Sequence, residues 1–423
     1  MKIKKNIMEI LIFMGVLTIL YYSSDPVYYS DSSRYINGSL LDPPMYSSII
    51  FILQNLFGKL ESVVVFQTLL IGFGIIYFTR TISVILNLNS FIKIIVSLLL
   101  FVPILKFYDN VLTEPISYAF TLLFVSCVIK LIYNFNFKNL ILTILFAISL
   151  LLTRNQFLFL YPVILLLFFG IFIINKSKKK VAKLLISSFL VIVITHNLII
   201  LINTYLNQDS FNKEYVTKNN NWKESLTYIS LGPSYFVFID AIYISSIKDV
   251  KLFENQNHQK TLTKIFNEMD DQKSLAKYYD GRGHFSKSFS DIRDYSQDLL
   301  LDLAKEENTS VSNLKKEIAL TLISANFGKY IKQIFKKFYD STWLFVFIPF
   351  FILISSLIGF LKNKSRLSLV TIFVSSFVLA NHSLVYIFGR VQPRYLIYSD
   401  FIFIVFIFLF FIIFFQKKNK DFL

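Results

Sequence analysis

Long apolar runs alternate with short polar breaks along this chain, and a single extended polar stretch interrupts the rhythm. Predominantly apolar runs occupy 7–22, 62–78, 91–107, 111–133, 140–152, 157–174, 184–205, 343–361, 367–388 and 395–415. A helix that is apolar all round is stable only in lipid or inside a packed bundle, and about 20 such residues cross the hydrocarbon layer. The pattern predicts an all-α polytopic membrane protein with about ten transmembrane helices, of which 140–152 is the shortest. The first run lacks the small residues near its end that a cleaved leader requires, so it reads as a retained helix. Another run, 45–57, opens at Pro43-Pro44 and is too short to cross about 30 Å of hydrocarbon. It is predicted to lie at the membrane interface.

The polar stretch runs from 207 to about 340. Its apolar residues recur at helical spacing (Leu299, Leu300, Leu303, then Leu314, Ile318, Leu322), with no strand-like alternation. A small, mainly helical domain follows from that spacing. The expected organisation is a membrane module at 1–206 with a polar loop at 23–44, the helical region at 207–340, and C-terminal spans at 341–423. Asp280-Gly281-Arg282-Gly283-His284 lacks the strand–loop–helix context of a phosphate cradle and reads as an exposed turn.

Composition excludes a soluble enzyme, because 55% hydrophobic residues, with Phe at 47 positions, would expose far more apolar surface than water tolerates. The lone cysteine, Cys127, lies within an apolar run, which rules out an intramolecular disulfide and a thiolate metal cluster. A net charge of +16 would suit a nucleic-acid binder, but the positions of the charges oppose that reading. With the N-terminus in the cytoplasm, 18 basic residues fall on the cytoplasmic side, in the groups around Lys5, Arg80, Lys130, Lys179, Lys362 and Lys418. Only Lys59, Lys106, Arg154, Arg390 and Arg394 fall on the short outer loops. That bias is the positive-inside rule, so the charge is topological and nucleic acid is not an expected partner. Both termini are then cytoplasmic and the 207–340 region lies outside.

The outer turns nonetheless carry charges of both signs. Asp31, Arg34 and Tyr35 occupy the first, Lys106, Asp109 and Glu114 the second, Arg154 the third, and Arg390, Arg394 and Tyr395 the last. His196, His382 and Asp400 fall in the outer parts of their helices. Charged groups at membrane depth are costly and mark candidate functional sites. Arginines would hold a phosphate bidentately and stabilise charge as it leaves, while a carboxylate takes a proton from an incoming hydroxyl or amine. Each residue also has a structural role open to it. Asp31 could cap the interfacial helix, Glu114 suits the positive end of a helix dipole, and Arg154 and Lys106 could snorkel to headgroups. Asp400 could pair with Arg394 or His382, and His196 could bond between helices. No two histidines have metal-ligand spacing.

The order of these motifs resembles a known family. Asp31-x-x-Arg34-Tyr35 followed by Pro43-Pro44-x-Tyr46 resembles the first periplasmic loop of the GT-C glycosyltransferases, nearest to protein O-mannosyltransferases and lipid A aminoarabinose transferases. Leu112-Thr113-Glu114-Pro115 resembles the second acidic motif of that family, Leu152-Thr153-Arg154 its third outer turn, and Arg394-Tyr395 its late Arg-Tyr pattern. The resemblance implies transfer of a sugar from a polyprenyl-phosphate donor to a lipid, protein or glycan acceptor, on the extracytoplasmic side of a bacterial inner (plasma) membrane. It assigns the base role to Asp31, acidic help to Glu114, and donor-phosphate binding to Arg154, Arg390 and Arg394. Arg34, Tyr35, Tyr395 and Asp400 join them as substrate-binding candidates. No cofactor is expected, and Ser32, where many members have a second acid, argues against a divalent metal at that loop. The first loop is also short for this family. A polysaccharide polymerase, or a transporter or flippase for lipid-linked glycans, remains the alternative. A transporter would carry more mid-membrane charge and related halves, and a polymerase would carry its arginines chiefly in long loops.

The topology is directly testable. In a Cys127→Ser background, a single cysteine at Lys260 is expected to react with a membrane-impermeant maleimide on intact cells, and one at Lys179 only after permeabilisation. The reverse pattern would overturn the assignment.

Overall fold

The structure is a computed structural model. It describes residues 12, 14–16, 18, 25–29, 31–37, 42–175, 178–206, 233–271, 287–309, 311–342, 344–388 and 393–420. Two compact units divide the chain, the first from Met1–Asn207, Ile348–Asn381 and Leu396–Leu423, the second from Gln208–Phe347 and His382–Tyr395.

In the first unit a short helix α1 (Ser32–Ile36) precedes α2 (Pro44–Phe57), α3 (Glu61–Leu86), α4 (Ser90–Phe101), α5 (Thr113–Tyr133), α6 (Phe137–Thr153), α7 (Leu160–Ile174) and α8 (Lys178–Leu206). Local chemistry sets the breaks. Gly58 and Asn87 close α2 and α3 with left-handed backbone, which Gly and Asn tolerate best. The side chains of Asn89 and Asn136 cap α4 and α6 by accepting from Ile92 N and Asn139 N.

Among the described residues, six helical stretches are long and apolar enough to cross a membrane: Glu61–Leu86, Thr113–Tyr133, Asn155–Ile174, Lys179–Asn203, Val346–Asn363 and Arg366–Ile387. The chain is thus a helical integral membrane protein in character, and among the described residues it contains no strand, only an isolated bridge. The expected spans at 91–107, 140–152 and 395–415 are shorter apolar helices, Ser90–Phe101, Phe137–Thr153 and Leu396–Ile412. The run at 91–107 ends as an α-helix at Phe101 and continues as a 3-10 turn, Val102–Lys106, because Pro103 lacks the N–H that would extend the α ladder. Of the first run, only residues 12, 14–16 and 18 are described, all helical.

Burial separates the helices by role. In α5, 83% of the span window is buried, against 22% for Lys179–Asn203 and 11% for Val346–Asn363. The first is a bundle core and the other two present apolar surface outward, as lipid-facing helices do. Close approach of α3 to α5 needs Gly74, where a Cβ would lie 3.2 Å from the Ala119 carbonyl oxygen.

The second unit is helical: α9 (Pro233–Ile244), α10 (Gln256–Asp271), α11 (Lys287–Glu306), α12 (Val311–Ala325) and α13 (Phe327–Thr342). Leu300, Leu303, Leu314, Ile318 and Leu322 are buried as their spacing predicts, around Phe238, Ile239 and Ile242 of α9. The apolar helix α9, inside a stretch expected to be polar, is the core of this unit. The turn at 280–284 lies outside the described residues. The chain then continues through α14 (Leu344–Asn363), α15 (Arg366–Phe388) and α16 (Pro393–Lys420).

One charge in the second unit sets a pH dependence. Burial lowers the Lys315 pKa to about 8. Between about 8 and the unfolded value near 10.4 the unfolded chain binds more protons, so stability rises with pH across that window, by up to about 3 kcal/mol. Thermal unfolding in detergent is expected at higher temperature at pH 9.5 than at pH 7.5, and Lys315→Met is expected to flatten the difference.

Candidate functional site

The first loop is held by the second. Val27 bridges in parallel to Asn110, with Val27 N donating to Asp109 O at 2.9 Å and Val111 N to Val27 O at 3.0 Å. Ser32, fully buried, donates its hydroxyl to Val111 O at 2.8 Å and accepts from Tyr29 N at 2.8 Å. From α3, the buried Gln67 amide donates to Asn110 O at 3.1 Å and to Tyr108 O, and Tyr46 OH donates to Gln67 Oε1 at 3.4 Å. Tyr46 in turn meets Tyr35 edge-on, with ring centroids 5.3 Å apart. Residues 27–29, 31–35, 108–111, α2 and α3 are thereby one assembly, and 108–111 runs directly into α5.

On this frame the charges form two adjoining sets. In the first, Arg34 Nε lies 3.3 Å from Asp42 Oδ2, its Nη2 donates to Asp42 Oδ1 at 3.4 Å, and the same nitrogen is 3.8 Å from Asp31 Oδ1. In the second, Arg154 Nη1 lies 2.9 Å from Glu114 Oε1 and donates to Tyr398 OH at 2.6 Å. Arg154 stands in extended backbone between α6 and the 3-10 turn Asn155–Phe159, Glu114 in the first turn of α5, and Tyr398 near the start of α16.

Tyr35 feels both sets. Burial raises its pKa first of all, Asp42 and Glu114 add to the rise, and Arg154 and Arg34 oppose it, so the phenol stays protonated. Burial likewise raises the Asp42 pKa, with Arg34 and Arg154 pulling it back and Asp31 adding a little. Arg154 therefore acts on the first-loop carboxylate as well as on Glu114, and the two sets share one electrostatic field. Asp31 is the most open of the three carboxylates, with 31% of its side chain exposed against 15% for Asp42 and 2% for Glu114.

Several structural roles weighed from sequence are corrected. Asp31 does not cap the interfacial helix; Pro43 occupies that N-cap. Arg154 is not a snorkelling anchor but a largely buried partner of Glu114 and Tyr398, because an unpaired carboxylate at that depth would be far costlier. His196 does bond between helices, with Tyr161 OH 2.7 Å from its Nδ1. Asp400 lies with one oxygen 3.2 Å from the Ser399 hydroxyl. Arg390 is outside the described residues, and of Arg394 and Tyr395 only the helical backbone is described.

Sequence reading missed two members. Asp42 had a signal, being an acid directly before Pro43-Pro44 in the same polar loop. Tyr398 had none, since it is one of 24 tyrosines and lies in an apolar run. Behind it, Asn381 Nδ2 donates to Ser399 Oγ at 2.9 Å, and Gln156 bonds Asn381 Oδ1, fixing the start of α16 against the turn after α6. Among the described residues, no three His, Cys, Asp or Glu side chains gather closely enough to hold a metal ion.

No protein-family model matches the sequence, and comparison with curated proteins and with solved structures finds no match to either.

The Glu114–Arg154 pair is expected to dominate local stability. Arg154→Ala removes the cation 2.9 Å from a buried carboxylate, and a loss of about 3–5 kcal/mol is expected. Adding Glu114→Gln should recover part of it. Both effects are read as apparent melting temperature in detergent.

Proposed function

We propose that the chain is an integral-membrane glycosyltransferase of the GT-C type, moving a sugar from a polyprenyl-phosphate donor to an acceptor on the extracytoplasmic side. The single observation that carries this reading is the convergence of Asp31, Arg34, Asp42, Glu114, Arg154 and Tyr398 from distant parts of the sequence. Such a set suits a reaction that takes up a proton at one point and releases an anionic phosphate at another.

In this reading the acceptor hydroxyl or amine attacks the anomeric carbon of the donor sugar. The bond from that carbon to the phosphate oxygen breaks, and its electron pair leaves with the polyprenyl phosphate. Asp31 takes the acceptor proton, because it is the carboxylate most open to an incoming group. Arg34 and Arg154 offset the negative charge that grows on the phosphate. Glu114 is too buried to meet a substrate and acts by positioning Arg154. Asp42 does the same for Arg34. Tyr35, protonated, supplies a neutral donor between them. The resemblance assigns Arg390, Arg394 and Tyr395 to the same substrate, and that assignment rests on sequence alone.

Membranes containing the protein, given radiolabelled polyprenyl-phosphate sugars, should move label into an acceptor fraction. Asp31→Asn is expected to lower the rate about 10²–10⁴-fold with folding intact by size-exclusion profile. Undiminished transfer in that variant sinks the reading.

A further inference from the structure

Helix α13 (Phe327–Thr342) is inside out. At about 100° per residue, Asn326 and the helix residues Tyr330, Gln333 and Lys337 fall on one face, Lys329, Lys332 and Lys336 on the next, and Phe327, Ile331, Ile334 and Phe335 on a third. In a water-soluble helix the third face would be buried. Here the first is. Asn326, Tyr330, Gln333 and Lys337 are all buried, with Gln333 Nε2 donating to Asp240 Oδ1 at 2.9 Å and Lys337 pairing with Asp240 Oδ2 and donating to Tyr386 O at 3.3 Å. Phe327 is 61% exposed and Phe335 68%, Ile331 and Ile334 are half-buried, and the three lysines of the middle face are exposed, Lys329 also donating to Ile244 O at 3.5 Å.

The buried polar face cannot rotate outward without uncovering Asp240 and Lys337 to no partner, so the apolar face is locked facing away from its own unit. Chain order says what covers it. One residue after α13 the chain enters Leu344–Asn363, whose window Val346–Asn363 has mean hydropathy 1.9 and only 11% burial, so the bilayer boundary comes within about two turns of the end of α13. Phe335 is nine residues before Leu344.

We infer that α13 docks in the plane of the bilayer surface, in the leaflet where residue 344 enters. Phe327, Ile331, Ile334 and Phe335 insert at the headgroup–acyl boundary, and Lys329, Lys332 and Lys336 reach the phosphates of anionic phospholipids. Aromatic and aliphatic residues flanked by lysines are the composition that interfacial helices use, and each lysine near an anionic surface adds to binding. The inference does not depend on the glycosyltransferase reading.

The full-length Cys127→Ser protein, spin-labelled at Phe335→Cys, Ile331→Cys or Lys332→Cys in turn, is placed in nanodiscs of phosphatidylcholine with or without phosphatidylglycerol. Labels at 331 and 335 are expected to meet oxygen several-fold more often than an aqueous nickel reagent, with the reverse at 332. Phosphatidylglycerol should deepen the label at 335, and Lys329→Gln/Lys332→Gln/Lys336→Gln should abolish that response. A label at 335 as open to nickel as the one at 332 overturns the proposal. Protection at 335 that persists in detergent with dipolar broadening between copies also overturns it, and makes the occupant a second chain. Because Phe327 and Phe335 are exposed, Phe327→Ser/Phe335→Ser should keep the detergent melting temperature, which separates loss of docking from loss of fold.

Discussion

A carboxylate inside an apolar bundle has to be neutralised, and in the first unit the guanidinium of Arg154 does it. Glu114 is in the first turn of the most buried helix, where water cannot reach it, and Arg154 lies 2.9 Å away on the break between α6 and the following 3-10 turn. The same nitrogen takes Tyr398 from the final helix. Three segments separated by 40 and 244 positions in sequence are thus tied at one point. The attraction is strong because the surroundings are dry, and for the same reason neither partner can leave without leaving the other stranded.

The first loop is carried to that point by neutral hydrogen bonds. Val27, Ser32 and Gln67 satisfy the backbone of residues 108–111, which is irregular and partly buried and needs partners. Ser32 is informative here. Its hydroxyl donates to Val111 O and accepts from Tyr29 N. Its task is to fasten the loop, leaving Arg34 between Asp31 and Asp42 as the charge that faces the more open side.

The second unit obeys the same electrostatic rule with a different outcome. Asp240 and Lys337 pair out of water, Gln333 adds a hydrogen bond, and the helix that carries Lys337 and Gln333 is oriented by them. Polar contacts decide which face of α13 is inside. The apolar residues take what remains, which is the opposite of the usual hierarchy.

Much of this was legible from the sequence by itself. Runs such as 111–133 and 367–388 can only be helices in lipid or in a bundle, because an unsatisfied backbone in hydrocarbon is prohibitive, and Leu314, Ile318 and Leu322 declare a buried stripe by spacing alone. The polar turns bearing Asp31, Glu114 and Arg154 were equally visible, since charge flanked by apolar runs is conspicuous. Only the tertiary structure decided which charges meet. Pairing is a matter of distance in space, so Asp42 emerged as the partner of Arg34 and Tyr398 as the partner of Arg154, while Asp31 was freed from a capping role. It also decided the lengths of the helices around Pro103 and the identity of α9 as a core, because apolarity in sequence cannot say whether lipid or protein will cover it.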